Sequence, residues 1–305
     1  MPCETLNKKL NWYQLTAIIN TQMTPTPRVL LTIDYEPWFA LSRRFDTIED
    51  TAIRKNLDAG FTRSAIDPIL ELLGVNLASF YLVGEIAEWY PEVAEKITSA
   101  GHELGLHCQI HRPLLDVVEL EKDLIASQEW RNNHAVTGYR APMVGIVEQG
   151  YPMLKKYGIQ YSSSIYAPAG TLLDKDGLLE IPVSSLNLAA NKAPYSAPRQ
   201  FNTQLLMSGE VPYGSSFMIG LLPKMILNWI EKELKSGVSP VIILHPYELF
   251  PPKQFARKMA KDLFGSPQLL PFMLNKSYFL KALLNTFPVS SIRSYLEEMD
   301  LAKND

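Results

Sequence analysis

The chain has 305 residues, of which 47% are hydrophobic, and this length suffices for one large α/β domain or two smaller ones. The formal net charge of -3 excludes a strong overall attraction to nucleic acid or to an anionic membrane. The two cysteines, Cys3 and Cys108, do not form a disulfide framework, and we expect Cys108 to pack in the core.

The first 27 residues are predicted to form an extension before the folded domain. Its apolar run, residues 10–19, is interrupted by polar residues and is followed by no small-residue cleavage site, so it is not typical of a signal peptide. No stretch of about 18 apolar residues, the length that spans a bilayer, occurs in the chain. We therefore expect a cytoplasmic protein.

From residue 29 onward, short apolar segments alternate with segments of helical periodicity. The apolar segments predict strands at 29–33, 77–83, 104–107, 137–140, 159–165, 178–183 and 241–244. The periodic segments predict helices at 61–73, 85–100, 116–131, 148–157 and 224–234. Asp116 is placed to cap the third of these helices, with Glu119 at capping-box distance.

The alternation of strands and helices predicts the fold class. About seven strands joined by right-handed crossovers indicate an α/β fold, a distorted (β/α)7-type barrel of mostly parallel strands. We expect one domain over residues 28–305. Within it, residues 187–216 are predicted to form a long excursion over the barrel mouth, and residues 265–300 a C-terminal helical region. The apolar stretch 269–284 of that region predicts a packed surface helix, with peripheral membrane contact as the alternative.

Two histidines four residues apart, His107 and His111, follow an apolar strand, and Asp34 and Glu36 follow another. Two imidazoles and a carboxylate with an open coordination position are typical of a hydrolytic metal site. A His-x-x-x-His pair also occurs by chance. The segment that begins at His102 is not the metalloprotease helix motif, because the next histidine is five residues away instead of four. The hypothesis therefore depends on what accompanies the pair.

Four polar residues from distant parts of the chain each follow the apolar part of a predicted strand. They are Asp34, His107, Arg140 and His245. Because the carboxyl ends of parallel strands lie on one face of a barrel, we expect these residues to converge there. His102 is expected to be structural, and His134 to lie in a turn.

The order and the sequences of these segments resemble the motifs of the polysaccharide deacetylase family, the NodB-homology metal-dependent deacetylases of carbohydrate esterase type. The resemblance spans residues 29–296 and looks closest to the exopolysaccharide-associated branch of that family. The matching segments are TIDYEPWF at 32–39, HCQIH at 107–111, GYRAP at 138–142, YSSSI at 161–165, YGSSFMIGLLP at 213–223 and LHPYE at 244–248.

Two departures from the family pattern bear on the site. Tyr35 occupies the place of a metal-binding Asp, so that Glu36 must serve instead, and this requires a turn or a bulge at the end of the strand. Ser162 occupies the place of an Asp that orients the His or Arg of the site, and Glu180 is a candidate to replace it.

The resemblance implies a role for each residue. Glu36, His107 and His111 would hold a divalent metal, for which the ligand types favour Zn but also suit Co, Mn, Ni or Fe. Asp34 would be the general base beside Arg140, and His245 the general acid. A backbone N–H after Pro142 would bind the oxyanion, and Trp38 and Tyr247 would either stack on a sugar or belong to the core.

The resemblance implies a metal-dependent hydrolase that removes N-acetyl groups from an amino sugar in a polysaccharide or a lipid-linked precursor. The absence of an export signal favours the precursor. One alternative is a deformylase of a lipid-linked formamido sugar. Another is a catalytically degenerate, glycan-binding member, which the residues Tyr35 and Ser162 would suit. Nucleic acid is not expected as a partner, and the sequence leaves the oligomeric state open.

Overall fold

The computed structural model describes residues 25–188, 195, 197 and 199–304, with the backbone alone for residues 203 and 301–304. Within this part of the chain, strands and helices alternate as far as residue 156. The strands are β1 (Val29–Tyr35), β2 (Ser79–Val83), β3 (Glu103–Cys108), β4 (Gly138–Tyr139), β5 (Tyr161–Ser162), β6 (Tyr166–Pro168), β7 (Leu173–Lys175), β8 (Leu178–Glu180), β9 (Val183–Asn187), β10 (Glu210–Val211), β11 (Val241–Leu244) and β12 (Val289–Ser290).

Helices cover the outside of the sheet and both of its ends. They are α1 (Thr51–Asp58), α2 (Phe61–Leu73), α3 (Gly84–Trp89), α4 (Pro91–Ser99), α5 (Val117–Ala126), α6 (Gln128–Asn133), α7 (Gly150–Lys156), α8 (Thr203–Met207), α9 (Ser216–Leu221), α10 (Pro223–Lys235), α11 (Pro246–Leu249), α12 (Phe255–Gly265), α13 (Leu270–Met273), α14 (Ser277–Thr286) and α15 (Ile292–Asn304). Short 3-10 helices add residues 38–41, 43–45, 142–144 and 267–269.

The main sheet has the strand order β11-β1-β2-β3-β4-β5-β8-β7, with β12 paired to β1. All of these neighbours are parallel except β7 and β8. The sheet curls into a half-barrel. The predicted fold class, an α/β fold of mostly parallel strands in a distorted (β/α)7-type barrel, is therefore confirmed.

β9 lies beside β11 at one end of the curled sheet, and its own sheet has the order β10-β9-β6. Val241 N–H donates to Ser184 Oγ at 2.8 Å, and Ile243 N–H donates to Gly214 O at 2.8 Å. A Cβ at Gly214 would lie 2.3 Å from Val241 O, so only glycine fits between these two strands.

Side chains of β1 alternate between the two faces of the sheet. Leu31, Ile33 and Tyr35 pack outward in the main core under the helices, whereas Leu30 belongs to a separate cluster with Tyr81 of β2. Every residue of β1 is buried. This alternation decides which polar residues of the strand can reach the inside of the barrel.

Several predicted elements are shorter than expected. The predicted helix 85–100 is two helices, because Pro91 lacks an N–H and keeps Tyr90 out of the helical conformation (φ -143°, ψ 72°). The predicted helix 116–131 breaks at Ser127, where Arg131 donates to the freed Leu124 O at 2.9 Å. The predicted strand 159–165 is reduced to β5, since residues 163–165 leave the sheet.

The amino end of the barrel contains a buried polar network centred on Glu103. Its carboxylate accepts hydrogen bonds from Ser79 Oγ at 2.6 Å, Tyr161 OH at 2.5 Å and the Arg293 N–H at 2.9 Å. Tyr81 and Tyr161 are joined through their hydroxyls at 3.1 Å. Both oxygens of the Glu103 carboxylate therefore have partners. Through Ser79 and Arg293, the network links β3 to β2 and to α15.

Three predictions about domain organisation stay predictions. Residues 1–24 of the expected extension lie outside the described residues, and so does part of the excursion predicted at 187–216. The described remainder of that excursion contains α8 and β10. The region predicted as C-terminal and helical contains α13, α14 and α15, with β12 between the last two. None of the described helices is long and apolar enough to cross a membrane.

Candidate metal centre

Polar side chains from four strands meet at the carboxyl edge of the sheet. Asp34 and His107 lie near the ends of β1 and β3, and Arg140 and His245 directly follow β4 and β11. Arg140 Nη1 lies 3.7 Å from Asp34 Oδ1, and His245 Nε2 lies 3.9 Å from Glu36 Oε1. The structure thus brings together residues separated by up to 211 positions of the chain.

Glu36, His107 and His111 form a compact buried cluster. Glu36 Oε2 lies 3.3 Å from His107 Nε2 and 2.9 Å from His111 Nε2, and one potential ligand atom of each residue lies within 4.8 Å of the others. Burial acts to raise the pKa of Glu36, but the His111 and His107 imidazoles hold it well below its usual range. Burial acts to lower the pKa of His111, but Glu36 and Asp46 together raise it above its usual value. The cluster therefore concentrates a carboxylate charge that a cation would neutralise.

The donor set fits a divalent metal. Ligands bound at ~2.0–2.2 Å in tetrahedral geometry lie roughly 3.3 Å from one another, close to the Glu36–histidine separations. His107 Nδ1 lies 2.7 Å from Arg140 O. Because a carbonyl can only accept, Nδ1 carries the proton and Nε2 presents its lone pair to the cluster. Two imidazole nitrogens and one carboxylate oxygen then leave a coordination position open.

The alternation of β1 explains how Glu36 replaces the ligand expected at position 35. Thr32, Asp34 and Glu36 point into the barrel, while Tyr35 points outward and donates to Thr62 O at 2.5 Å. The expected strand-end bulge does not occur in β1, since its register with β2 runs unbroken from Thr32 to Tyr35. A two-residue periodicity alone brings Glu36 to the inner face.

The two aromatic residues predicted as substrate contacts lie in the core. Tyr247 is 1% exposed, stacks on His245 with ring centroids 5.2 Å apart, and donates to Glu36 Oε1 at 2.8 Å. Trp38 is 3% exposed, has edge contacts with Phe45 and Phe255, and donates to Leu57 O. Neither ring presents a face to a sugar in this conformation. Tyr247 instead holds one oxygen of Glu36 and leaves the other for a metal.

Asp34 and Arg140 form a pair whose hydrogen bonds are incomplete. Arg140 Nη2 donates to Ser163 Oγ at 2.9 Å, and its guanidinium lies 4.8 Å from the centre of the Tyr81 ring. Asp34 Oδ1 and Arg140 Nε and Nη1 are buried without a hydrogen-bond partner among the described residues. Buried polar atoms rarely lack a hydrogen-bond partner, which indicates that water or a ligand supplies the missing hydrogen bonds of Asp34 and Arg140.

Pro142, two residues after Arg140, begins a 3-10 helix. Met143 and Val144 follow it with φ of 57° and 53°. The left-handed conformation costs about 1–3 kcal/mol for such residues and is a marked outlier for a β-branched side chain. Strain of this kind concentrates at functional sites, and it lies where the sequence predicts a backbone donor for an oxyanion.

His245 has a partner that the sequence analysis missed. Its Nδ1 lies 3.2 Å from Glu248 Oε2, and Glu248 Oε1 lies 2.9 Å from the buried Lys276 Nζ. Burial opposes a charged imidazole, but Glu248, Glu36 and Asp34 together raise the pKa of His245 to about 9. Burial also acts to raise the pKa of Glu248, and Lys276 and His245 lower it below its usual value. Lys276, one of two lysines within the apolar stretch 269–284, was the available signal.

The residue at position 162 does not bind the Arg or His of the site. Ser162 Oγ donates to Ser164 Oγ at 2.8 Å, and Ser164 Oγ accepts from the Ala141 N–H. Glu180, the predicted substitute, accepts from the Ser164 and Ile165 N–H groups at 2.7 and 3.2 Å and makes no hydrogen bond to Arg140. The orienting contact to Arg140 comes from Ser163, which the sequence analysis did not single out.

The remaining predictions about single residues agree with the structure. Cys108 is fully buried in the main core, and burial raises the pKa of its thiol. His102 Nδ1 accepts from the Ala78 N–H at 3.2 Å and is structural. His134 follows α6 in a turn.

Comparison with known proteins identifies the fold. No family model and no curated protein matches the sequence. A solved protein of Mycobacterium smegmatis described as a polysaccharide deacetylase is similar at 19% identity, with a TM-score of 0.56 over 92% of this chain and 93% of its own. Puue allantoinase is similar at 13% identity, with a TM-score of 0.54 over 90% of each chain. The chain therefore shares its fold with these enzymes over nearly its whole length.

Proposed function

We propose that this protein is a divalent-metal-dependent hydrolase that removes N-acetyl groups from an amino sugar within a glycan. The observation that carries the proposal is the cluster of Glu36, His107 and His111 beside two further titratable groups, Asp34 and His245. The similarity of fold to a described polysaccharide deacetylase supports the substrate class. The segments around Glu36, Gly214 and Glu248 support a place in the exopolysaccharide-associated branch of that family.

Glu36, His107 and His111 would hold the metal, with Zn favoured by the two imidazole ligands. When bound, a divalent cation polarises the amide carbonyl and lowers the pKa of water toward ~7. The chain supplies the rest. Tyr247 fixes the orientation of Glu36, and the Arg140 carbonyl fixes the tautomer of His107.

Asp34 would take a proton from the attacking water. Its Oδ1 is free of hydrogen bonds among the described residues and lies 3.7 Å from Arg140 Nη1. The strained backbone at Met143 would place an N–H near the developing oxyanion. This assignment gives the base and the oxyanion donor separate positions at the strand ends.

His245 would protonate the departing amine, which is a poor leaving group without that proton. Glu248 lies against Nδ1 and so directs Nε2 toward the cluster, 3.9 Å from Glu36. The proton that Asp34 accepts and the proton that His245 donates then balance over one hydrolytic cycle, which releases acetate and an amine.

The proposal is tested by incubating the purified protein with oligomers of N-acetylglucosamine and measuring acetate and free amine. We expect equimolar products that disappear with a chelator and return with Zn, Co or Mn. His107→Ala should abolish both metal binding and turnover, while His134→Ala, which changes a turn histidine, should leave both intact.

Two results would contradict the proposal. Release of formate from formamido sugars without release of acetate would make the protein a deformylase. A well-folded protein that binds glycan but takes up no metal would make it a binding protein.

A further inference from the structure

A mixed basic and apolar surface surrounds one side of the barrel mouth. We define the mouth surface by its exposed residues on α12, α13 and α14 and in the segments that flank them. They are Lys253, Arg257, Lys261, Phe264, Leu270, Leu274 and Tyr278. The Phe264 and Tyr278 side chains are 95% and 82% exposed. Aromatic side chains so fully presented to solvent gain no packing energy within the chain.

The helices that carry the mouth surface pack against the candidate metal centre. Phe255, on the buried side of α12, packs against Trp38 and Tyr247. Phe272 of α13 lies 6.5 Å, ring to ring, from His245. Whatever the mouth surface binds is therefore held next to the residues proposed to act on the substrate.

The charge of this region differs from that of the whole chain. Residues 251–287 contain six basic residues and one acidic residue, although the formal net charge of the protein is -3. The acidic residue, Asp262, is paired with Arg44, and Lys276 is buried against Glu248. Lys258 lies over the Trp38 ring, 4.7 Å from its centre. Lys253, Arg257 and Lys261 are exposed and form no ion pair within the described part of the chain.

Apolar residues of α9 and α10 extend the mouth surface. A Cβ at Gly220 would lie 2.2 Å from Pro271 O, so glycine allows α9 to pack directly on α13. Leu221, Leu222 and Met225, at the end of α9 and the start of α10, are 49%, 39% and 38% exposed. The apolar area thus comes from two separate parts of the chain that the fold brings together.

We propose that the mouth surface docks on the headgroup region of an anionic lipid bilayer. Exposed basic side chains are attracted to anionic headgroups, and Phe, Leu and Tyr side chains gain by entering the boundary between headgroups and acyl chains. An acidic polymer would neutralise the basic residues but would leave Phe264 and Tyr278 in water, so a bilayer fits both features better. The docking proposal does not depend on the proposed function. If the protein both docks on a bilayer and deacetylates an amino sugar, that sugar is expected to be attached to a lipid carrier.

Vesicle binding tests the docking without requiring turnover. The protein is mixed with phosphatidylcholine vesicles that contain either no anionic lipid or about 30 mol% phosphatidylglycerol, a composition typical of a charged interface. We expect binding to the anionic vesicles that weakens with salt. Arg257→Ala and Lys261→Ala should each weaken it about fivefold, and Phe264→Asp should abolish it.

Matched variants at the other end of the barrel control for nonspecific effects. Val75→Asp is the control for Phe264→Asp, since Val75 precedes β2 and is 96% exposed. Lys232→Ala, on the exposed side of α10, is the control for Arg257→Ala and Lys261→Ala. Both should bind vesicles like the wild type, and far-UV circular dichroism should show that all variants are folded. In Phe264→Trp, quenching by brominated lipid should exceed that in Val75→Trp.

Three outcomes would overturn the docking proposal. The first is no binding to anionic vesicles at any ionic strength. The second is equal loss of binding in the Phe264 and Val75 variants. The third is binding that is insensitive to Phe264→Asp and is displaced by dextran sulfate, which would identify the mouth surface as a site for an acidic polymer.

Discussion

The two ends of the barrel each contain a buried carboxylate, but the surroundings of the two carboxylates differ. At the amino end, Glu103 accepts three hydrogen bonds from Ser79, Tyr161 and Arg293. At the carboxyl end, Asp34 Oδ1 is buried without a hydrogen bond among the described residues. A satisfied buried network stabilises the fold, whereas an unsatisfied one costs stability and persists where a ligand completes it. The comparison predicts that substitutions at one end change stability and at the other change activity.

The largest effect is expected for Asp34→Asn. Asparagine keeps the shape of the side chain but cannot accept a proton from water, so kcat should fall by roughly 10²–10⁴-fold. The melting temperature should fall less than in Glu103→Ala, because no hydrogen bond to Asp34 Oδ1 is lost and the ion pair with Arg140 is long, at 3.7 Å. Steady-state kinetics and calorimetry measure the two effects. A large loss of stability would remove the distinction between the two ends.

Glu103→Ala should have the opposite profile. It leaves the Ser79 and Tyr161 hydroxyls and the Arg293 N–H without a partner inside the protein, which should lower the free energy of unfolding by about 3 kcal/mol. The kcat of the folded fraction should be nearly unchanged. Urea unfolding and active-site titration check this, and Glu103→Gln, which keeps one acceptor oxygen, is the milder control.

Glu248→Gln sharpens the comparison within the carboxyl end. Glu248 raises the pKa of His245, so removing its charge lowers that pKa. Since His245 must be protonated to act as an acid, activity is lost as pH rises through its pKa, and the alkaline limb of the kcat profile should move to lower pH. We expect about a tenfold lower kcat at neutral pH. An unchanged alkaline limb would show that Glu248 does not act on His245.

Tyr247→Phe should have the smallest effect. It removes only the hydroxyl that holds Glu36 Oε1 and keeps the ring stacked on His245. The affinity for Zn should fall about tenfold, as expected for a group that orients a ligand. Competition with a chelating dye measures this, and Tyr35→Phe, whose hydroxyl binds Thr62 on the outside of the barrel, should leave the affinity unchanged.

Much of the fold followed from local patterns. Seven apolar segments predicted strands, and β1, β2, β3 and β11 occur within two residues of the expected bounds. Asp116 caps α5 as predicted, accepting from the Val118 and Glu119 N–H groups. The shortness of β5 and β8 was not predicted, because Glu180 and the serines at 162–164 form contacts between distant segments that no local pattern encodes.

The candidate centre was predicted in its donor types but not in its supporting contacts. Spacing and strand position single out His107 and His111, and parallel topology brings them to Glu36. The sequence left two roles open for Trp38 and Tyr247, contact with a sugar or a place in the core. Both are buried in the core. Phe255, from the segment after β11, packs against both rings. The pairing of Glu248 with Lys276 depends on the position of α14, which lies outside the barrel motifs.

The sequence by itself determined the parallel α/β architecture and the chemical types gathered at the strand ends, because periodicity and strand polarity are local properties of the chain. Tertiary structure alone decided which polar atoms are satisfied and that basic and apolar residues from α9 to α14 form one surface. These properties depend on distances between segments far apart in sequence, and those distances are set by packing rather than by any local pattern.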